Sequence, residues 1–288
     1  MTDNLVQRFL LDDLDIRGAV VRIGPVWQNL LAGRDYPPAV TQLLGEMSIT
    51  TLLLSDNLKQ PGRLTIQLRG QGPVSLLVID CDEALNLRCM AQHAQSVAPD
   101  RPAALLGRGQ LLMSLDAPTM KEPYQSIVPL VGDSIAAIFE HYLAQSEQLS
   151  SRFFLADNAQ GAAGLFLQKL PSADSRDPDG WARIETLAST VKPEELLGLA
   201  PEALLGRLFV EETVRVFAPR AVTAESPEDW EKVGNMLRAL GREEVYAALS
   251  ERGEIVIRDD LANHEYRFDK AAIDTLFSST PATPPSVH

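Results

Sequence analysis

The stretch that decides the fold is residues 124–171, YQSIVPLVGDSIAAIFEHYLAQSEQLSSRFFLADNAQGAAGLFLQKLP. Its middle part has the i, i+3, i+4 and i+7 spacing of one apolar helix face. The residues on this face are Ile135, Ile138, Phe139 and Tyr142. Asp133 or Ser134 can cap the start of this helix, because a side-chain oxygen there meets free backbone N–H groups. The spacing therefore predicts a capped amphipathic helix.

Two runs rich in strand-forming residues follow this helix, at 152–156 and 164–170. The segment 157–161 between them carries turn residues and is predicted to be a loop. Pro171 ends the second run, because proline has no N–H to donate to a sheet. A helix followed by a buried hairpin predicts the centre of a mixed α/β domain.

The composition is that of an ordinary globular protein of 288 residues, 45% hydrophobic and 23% charged. This length allows two domains, or one large domain with an appendage. The net charge of −13 argues against a general nucleic-acid binder, because phosphate binding needs clustered Lys and Arg. We therefore expect no nucleic-acid partner.

Hydropathy along the chain argues against a membrane protein. No apolar run approaches the roughly 20 residues that a spanning helix needs, so we expect no membrane partner. Residues 1–11 lack both the basic start and the long apolar core of a signal peptide. Together these features predict a cytoplasmic protein.

The chain has two cysteines, Cys81 and Cys89. Without a secretion signal, two cysteines indicate reduced thiols and not a disulfide framework. His93 follows Cys89 by four residues, so a nucleophilic Cys–His pair is an alternative. Ordinary strand or loop residues are the preferred interpretation.

The part before residue 171 is predicted to be a sheet with several helices, of the α+β class. A first strand is predicted at 14–23, followed by a short helix from Pro25 through Leu31. The longest predicted helix has a stripe of Val40, Leu43, Leu44, Met47, Thr51, Leu54 and Leu58. Further strands are predicted at 64–68, 74–80, 86–92 and 110–115.

The composition of the chain changes after Pro171, and residues 172–220 are predicted to be a helical linker. The segment 172–180 is polar and rich in turn residues, and short helices follow it, broken by proline. The linker is unusually apolar for short elements, with Trp181, Ile184, Leu187, Leu196, Leu197, Leu199, Leu204, Leu205, Leu208 and Phe209. Two interpretations stay open: packing on the domain's own sheet, or a surface covered in one state and exposed in another.

Residues 221–277 are predicted to form a small separate α+β module. Trp230, Val233, Leu237 and Leu240 recur on a helix, and a second helix is predicted at 243–250. Two strands, at 253–258 and 265–268, and a helix at 269–277 complete it. The tail 278–288 is rich in Ser, Thr and Pro and is predicted to be disordered.

Several motifs, taken in order along nearly the whole chain, resemble the 33 kDa chaperonin family of redox-regulated heat-shock holdases. The matching segments are Asp15-Ile16-Arg17-Gly18, Tyr124-Gln125, Gly132-Asp133-Ser134, Ser146-Glu147-Gln148-Leu149, Leu167-Gln168-Lys169-Leu170-Pro171, Glu194-Glu195-Leu196-Leu197 and Gly253-Glu254-Ile255. No single segment is diagnostic, but their order and spacing together make the match strong.

The resemblance implies a non-enzymatic chaperone that holds unfolding proteins without ATP. In the family's resting state a C-terminal zinc module keeps a helical linker folded on the N-terminal domain. Oxidation releases the zinc, unfolds the module and linker, exposes apolar surface and allows dimers to form. The resemblance thus implies unfolded client proteins as partners, a homodimer in the active state, and client binding by Trp181, Leu187, Leu196, Leu197, Leu204, Leu205, Leu208 and Phe209.

The chain departs from the family at the zinc site, which uses four cysteines in a Cys-x-Cys and a Cys-x-x-Cys. The flanking motifs place these positions at Ser226, Glu228, Asp259 and Ala262, so all four thiolate ligands are absent. We therefore expect no zinc or other cofactor, although a mixed-donor site of Glu228, Asp259 and His264 is conceivable. Trp230 is a candidate to replace the metal in the core, and Arg258 or Lys232 to neutralise the acids.

Three hypotheses follow from the sequence. The first is a holdase of this family that has lost its thiol–zinc switch and is constitutively active, or activated by heat, acid or oxidation of other side chains. The second is an adaptor that docks one particular folded partner through the apolar linker. The third is an enzyme, and it depends only on Cys81, Cys89 and His93.

Overall fold

The computed structural model describes residues 4–58, 60–98 and 101–278. Contacts divide the chain into two compact units, Met1–Glu225 and Ser226–His288. Both units combine helices with antiparallel strands, so the predicted α+β class is confirmed. Of the tail predicted to be disordered, only Ser278 is described, where it ends the last helix; residues 279–288 lie outside the described part.

The first unit contains two sheets and the helices that cover them. Before the linker its elements are β1 (Leu5–Leu11), β2 (Ile16–Ile23), α1 (Pro25–Leu31), α2 (Pro38–Asp56), β3 (Arg63–Gly70), β4 (Val74–Cys81), β5 (Leu87–His93), α3 (Pro102–Leu106), β6 (Gly109–Asp116), β7 (Tyr124–Val128), α4 (Ile135–Ser146), β8 (Ser151–Asn158) and β9 (Gly161–Lys169). The linker adds α5 (Ala173–Arg176), α6 (Gly180–Ala188), α7 (Pro193–Gly198), α8 (Pro201–Leu208), β10 (Val214–Val216) and β11 (Arg220–Ala221).

The first sheet has the strand order β10-β1-β2-β9-β8, with β11 also pairing with β1, and the second has the order β5-β4-β3-β6-β7. All the pairings within these two sheets are antiparallel. Helix α2 contacts strands of both sheets. Most of its residues are buried all round the helix, as expected for a helix inside a core. The main core therefore lies between the two sheets.

Residues 124–171 contain helix α4 and the tight hairpin of β8 and β9. Ser134 is the helix cap, because its Oγ accepts a hydrogen bond from the N–H of Ala137 at 3.1 Å. The predicted loop 157–161 is wrong in its length: the strands continue to Asn158 and resume at Gly161, which pair with each other. The Asn158 side chain accepts hydrogen bonds from the N–H groups of Gln160 and Gly161, which holds the chain in a two-residue turn.

The second unit is a small helical module with one hairpin. It consists of α9 (Trp230–Leu240), α10 (Arg242–Arg252), β12 (Ile255–Asp259), β13 (His264–Phe268) and α11 (Lys270–Ser278). Its core contains Val233, Leu237, Val245, Leu249, Tyr266, Phe268 and Ile273. Residues 221–225, which we placed at the start of this module, lie in the first unit, where the N–H of Val222 donates to the carbonyl of Asn4 at 2.9 Å.

A helix needs about 20 predominantly apolar residues to cross a bilayer. Among the described residues, no helix is long and apolar enough to cross a membrane.

Candidate client-binding site and the C-terminal module

One face of the first sheet is apolar and lies away from the main core. Side chains alternate between the two faces of a strand, so β1, β2, β8 and β9 each contribute to two cores. We call this apolar surface the linker face; it is formed by Phe9, Leu11, Ile16, Val20, Leu165 and Leu167, all buried. Their neighbours Ala19, Val21 and Phe166 point into the main core on the opposite side.

The linker helices cover the linker face. All eight residues that we predicted for client binding belong to or pack against this one cluster. Leu196, Leu197, Leu204, Leu205, Leu208 and Phe209 are buried, whereas Trp181 and Leu187 are half-buried at its border. The rings of Phe9 and Phe209 lie 6.1 Å apart. The linker is therefore packed on the domain's own sheet, which is the arrangement that both open interpretations share.

The linker helices are too short to be stable alone. The longest, α6, has nine residues, and isolated helices below about 12–15 residues are marginal in water. Helices α7 and α8 both begin at a proline, which suits the first helical position. The Glu195 carboxylate accepts from the N–H of Lys192 at 3.0 Å and caps α7. The helices therefore depend on docking against the linker face for their order.

Polar contacts hold the linker at its edges. Arg22 on β2 is 4% exposed and donates hydrogen bonds to the carbonyl oxygens of Leu197, at 3.1 Å, and Leu199. Gln7 on β1 donates to the Glu202 carboxylate at 2.9 Å. Sequence reasoning missed both residues, since a polar residue in a strand ordinarily indicates a solvent-facing position.

A further ionic contact joins the linker to the hairpin. The Arg152 guanidinium lies between the carboxylates of Glu185 on α6, at 2.5 Å, and Glu140 on α4, at 3.4 Å. Burial raises the pKa of Glu140, while hydrogen bonding to the N–H of Phe153 and the charge of Arg152 oppose that rise. Within the linker, hydrogen bonding from Arg183 lowers the pKa of Asp177.

The positions that we aligned with the family's zinc ligands converge partly on the β12–β13 hairpin. Asp259 pairs with His264, and its carboxylate accepts from the N–H of Ala262 at 2.9 Å. A ring nitrogen of His264 hydrogen-bonds to the carbonyl of Ser226. The Glu228 carboxylate instead accepts from the indole N–H of Trp230 at 2.7 Å. Three of the four positions thus meet around His264, while Glu228 is turned to Trp230.

These residues do not fit a structural zinc ion. Such a site needs four donors, mainly thiolate or imidazole, whereas the serine and alanine supply none of consequence. The described residues contain no group of three or more His, Cys, Asp or Glu side chains that could hold a metal. The mixed-donor alternative of Glu228, Asp259 and His264 is therefore not formed, and each of these side chains is engaged in the hydrogen bonds given above.

Aromatic packing occupies this end of the module. Trp230 lies edge-on to Tyr266, at 5.0 Å between ring centroids, and to Phe268, at 5.5 Å. The hydroxyl of Tyr266 accepts from the N–H of Asp229 at 2.8 Å, which ties the start of α9 to the hairpin. Arg258 pairs with Glu265 at 2.9 Å, so our suggestion that it neutralises the acids at the zinc positions is wrong.

The two cysteines are buried in the main core as free thiols. Burial raises the pKa of Cys81 to about 12 and that of Cys89 to about 11, so neither is an activated nucleophile at neutral pH. Cys89 and His93 lie four residues apart on β5, a separation of about 13 Å along an extended strand. The Cys–His pair is therefore not formed.

Comparison with known proteins gives one consistent family. The family model described as Hsp33 protein matches residues 4–269. The 33 kDa chaperonin of Methylobacillus flagellatus is 39% identical over 281 residues, covering 97% of this chain and 96% of the relative. The 33 kDa chaperonin of Chromobacterium violaceum is 40% identical over 274 residues, covering 94% and 93%. These matches support a chaperone role.

A solved structure supports the same fold. The crystal structure of the 33 kDa chaperonin, or heat shock protein 33 homologue, from Thermotoga maritima matches with a TM-score of 0.80 at 22% identity. The match covers 96% of this chain and 98% of that one, so the two chains share a fold over nearly their full length.

Proposed function

This chain belongs to the HSP33 family, and from that premise we propose that it is an ATP-independent holdase chaperone. It binds unfolding proteins through the linker face and through the apolar side chains of the linker that cover it. In the resting state these two surfaces bury each other. In the active state the linker detaches and both become available to clients and, by the same chemistry, to a second active copy of the chain.

The observation that carries this proposal is the burial of so much apolar surface beneath helices that cannot persist alone. Each fully buried Leu or Phe contributes about 1.5–3 kcal/mol. Each ordered residue costs about 1–2 kcal/mol in conformational entropy. The entropy cost opposes the gain from burial, and release of the linker presents a contiguous apolar surface of the kind that binds other proteins.

We further propose that temperature, and not thiol oxidation, releases the linker. The positions Ser226, Glu228, Asp259 and Ala262 carry no thiol, and the free thiols of Cys81 and Cys89 are buried with raised pKa values. The conformational entropy that the linker gains on release contributes more to the free energy as the temperature rises. Heating therefore favours the exposed state without any redox chemistry. The holdase thus works without the family's zinc.

The test is light scattering of a chemically unfolded model client diluted into buffer, with and without the full chain, at resting and heat-shock temperatures. We expect suppression of aggregation on heating. Leu204→Asp, which places a charge in the buried cluster, should suppress aggregation already at the resting temperature. Val210→Asp is the matched control, because Val210 lies on the same segment and is 79% exposed.

Two outcomes would overturn the proposal. One is the absence of any suppression by the heated protein and by Leu204→Asp, with both proteins shown to be monodisperse before the client is added. The other is capture of one dominant folded partner with no binding of unfolded clients, which would identify the chain as an adaptor. Size-exclusion chromatography of Leu204→Asp separately tests whether the active state dimerises.

A further inference from the structure

A cavity of about 370 Å³ lies between the two sheets of the first unit, on the side of the first sheet opposite the linker face. This volume is within the range of small-molecule sites. Its lining is mostly apolar and includes Leu54, Leu64, Met113, Leu115, Tyr142 and Phe166. Methionine side chains adapt readily to the shape of a flexible ligand. The cavity is therefore suited to a hydrocarbon chain.

The polar end of this cavity carries a cation. Arg17 on β2 donates from Nε to the amide oxygen of Gln168 at 2.8 Å, and from a terminal nitrogen to the same oxygen. The Gln168 amide nitrogen donates in turn to the exposed Glu147 carboxylate at 3.2 Å. Among the described residues, no carboxylate lies within 4.0 Å of the Arg17 guanidinium. The Arg17 guanidinium is thus held by the neutral amide of Gln168. The Glu147 carboxylate hydrogen-bonds to that amide and not to the guanidinium.

Burial makes this cation receptive to an anion. Burial lowers the pKa of Arg17, and the charge of Glu147 only partly opposes that effect. A charged group that is partly removed from water is stabilised strongly by an opposite charge placed against it. The guanidinium also binds carboxylates with two parallel hydrogen bonds, which gives both affinity and orientation. Glu147 also lines this end of the cavity, but its side chain is exposed, so water screens its charge.

We propose that this cavity binds a single-chain carboxylate amphiphile, a medium-chain fatty acid, with its acyl chain among the apolar lining and its carboxylate on Arg17. This site is separate from client binding, because the cavity and the linker face lie on opposite sides of the first sheet. It is open while the linker is docked, so it does not depend on the proposed holdase function.

The test is isothermal titration calorimetry of the full chain with decanoate below its micelle-forming concentration. We expect saturable 1:1 binding, weakened at least tenfold in Arg17→Gln and weakened less in Arg17→Lys, which keeps the charge but loses the two parallel hydrogen bonds. Decanol, which lacks the charge, should bind at least tenfold more weakly than decanoate. Leu204→Asp should bind decanoate as the unchanged chain does, which separates this site from the linker face.

A second pair of variants tests the location of the acyl chain. Met113→Trp fills the cavity and should abolish binding, whereas Leu112→Trp changes the neighbouring residue, which lies on the other face of β6, and should not. Circular dichroism melting curves verify that each variant is folded. The proposal is overturned if decanoate shows no saturable binding, if decanol binds equally well, or if Arg17→Gln and Met113→Trp bind as tightly as the unchanged chain.

Discussion

The guanidinium of Arg22, near the end of the central strand β2, donates a 3.1 Å hydrogen bond to the carbonyl oxygen of Leu197 on linker helix α7. The same side chain also donates to the carbonyl of Leu199, just past the end of that helix. The last carbonyl groups of a helix have no partners within the helix. A side chain of the sheet therefore completes the C-terminal end of a linker helix, and the pairing is possible only while the linker is docked.

Arg22→Leu should loosen the linker without unfolding the first unit. It leaves the buried carbonyl of Leu197 and the partly buried carbonyl of Leu199 without their donor, which costs about 1–3 kcal/mol for a buried group. Native-state hydrogen exchange of the α7 amides measures the effect, and we expect exchange to be faster by about tenfold or more. Arg108→Leu is the control, since Arg108 is exposed and lies just before β6, away from the linker. Unchanged protection of α7 in Arg22→Leu would contradict this role.

Much of the fold follows from local signals in the sequence. The bounds of α1 were predicted because Pro25 occupies its first position, and the hairpin around 157–161 was placed to within a few residues. Strand β1 was missed because Val6 faces the main core while Phe9 and Leu11 face the linker. A strand that is buried on both faces loses the alternation by which strands are recognised. Strand β11, with two residues, carries no periodic signal.

The sequence indicated only one of the two surfaces that form the candidate site. The apolar residues of the linker stood out because short, proline-broken helices rarely carry so many. The linker face could not be recognised in the same way. Ile16, Val20 and Leu165 belong to continuous apolar strands, in which nothing indicates which face meets the linker. Arg17 was visible only as part of a family motif, and its position at a cavity depends on the pairing of β2 with β9.

The partly buried carboxyl of Glu140 should make stability depend on pH. Burial raises the pKa of Glu140 in the folded protein, so the folded state holds its proton more firmly than the unfolded chain does. The contribution of this group to stability is therefore greatest below its unfolded pKa, about 4.3, and falls as the pH rises through the folded value. Glu140→Gln keeps an oxygen that can accept from the N–H of Phe153 and removes the titration.

Urea unfolding of the unchanged chain and of Glu140→Gln, across a pH series, measures this dependence. The free energy of unfolding of the unchanged chain should fall relative to that of the variant as the pH rises above about 4.3. Glu194→Gln, at an exposed position at the start of α7, serves as the control. A difference between the unchanged chain and Glu140→Gln that does not vary with pH would contradict the assignment.

Thiol chemistry should leave the chaperone activity unchanged. Both thiols are buried with pKa values raised to about 12 and about 11, and the thiolate is the reactive form. In the folded protein an aromatic disulfide reagent should label neither thiol until denaturant is added. Cys81→Ala/Cys89→Ala should suppress client aggregation on heating as the unchanged chain does. Activation of the unchanged chain by hydrogen peroxide that is lost in this double variant would show a surviving thiol switch.

Trp230 should contribute more to the second unit than its exposure suggests. It is 47% exposed, and Met236 on the same helix is 46% exposed, so the two are matched in burial. Trp230 alone makes two edge-on ring contacts, with Tyr266 and Phe268, each worth about 0.5–1.5 kcal/mol beyond buried area. Trp230→Ala should therefore accelerate amide exchange in the β12–β13 hairpin by more than Met236→Ala does. If the module needs no metal, as we propose, a chelator should leave the exchange rates of the unchanged chain unaltered; faster exchange with the chelator would show that a bound ion stabilises the hairpin.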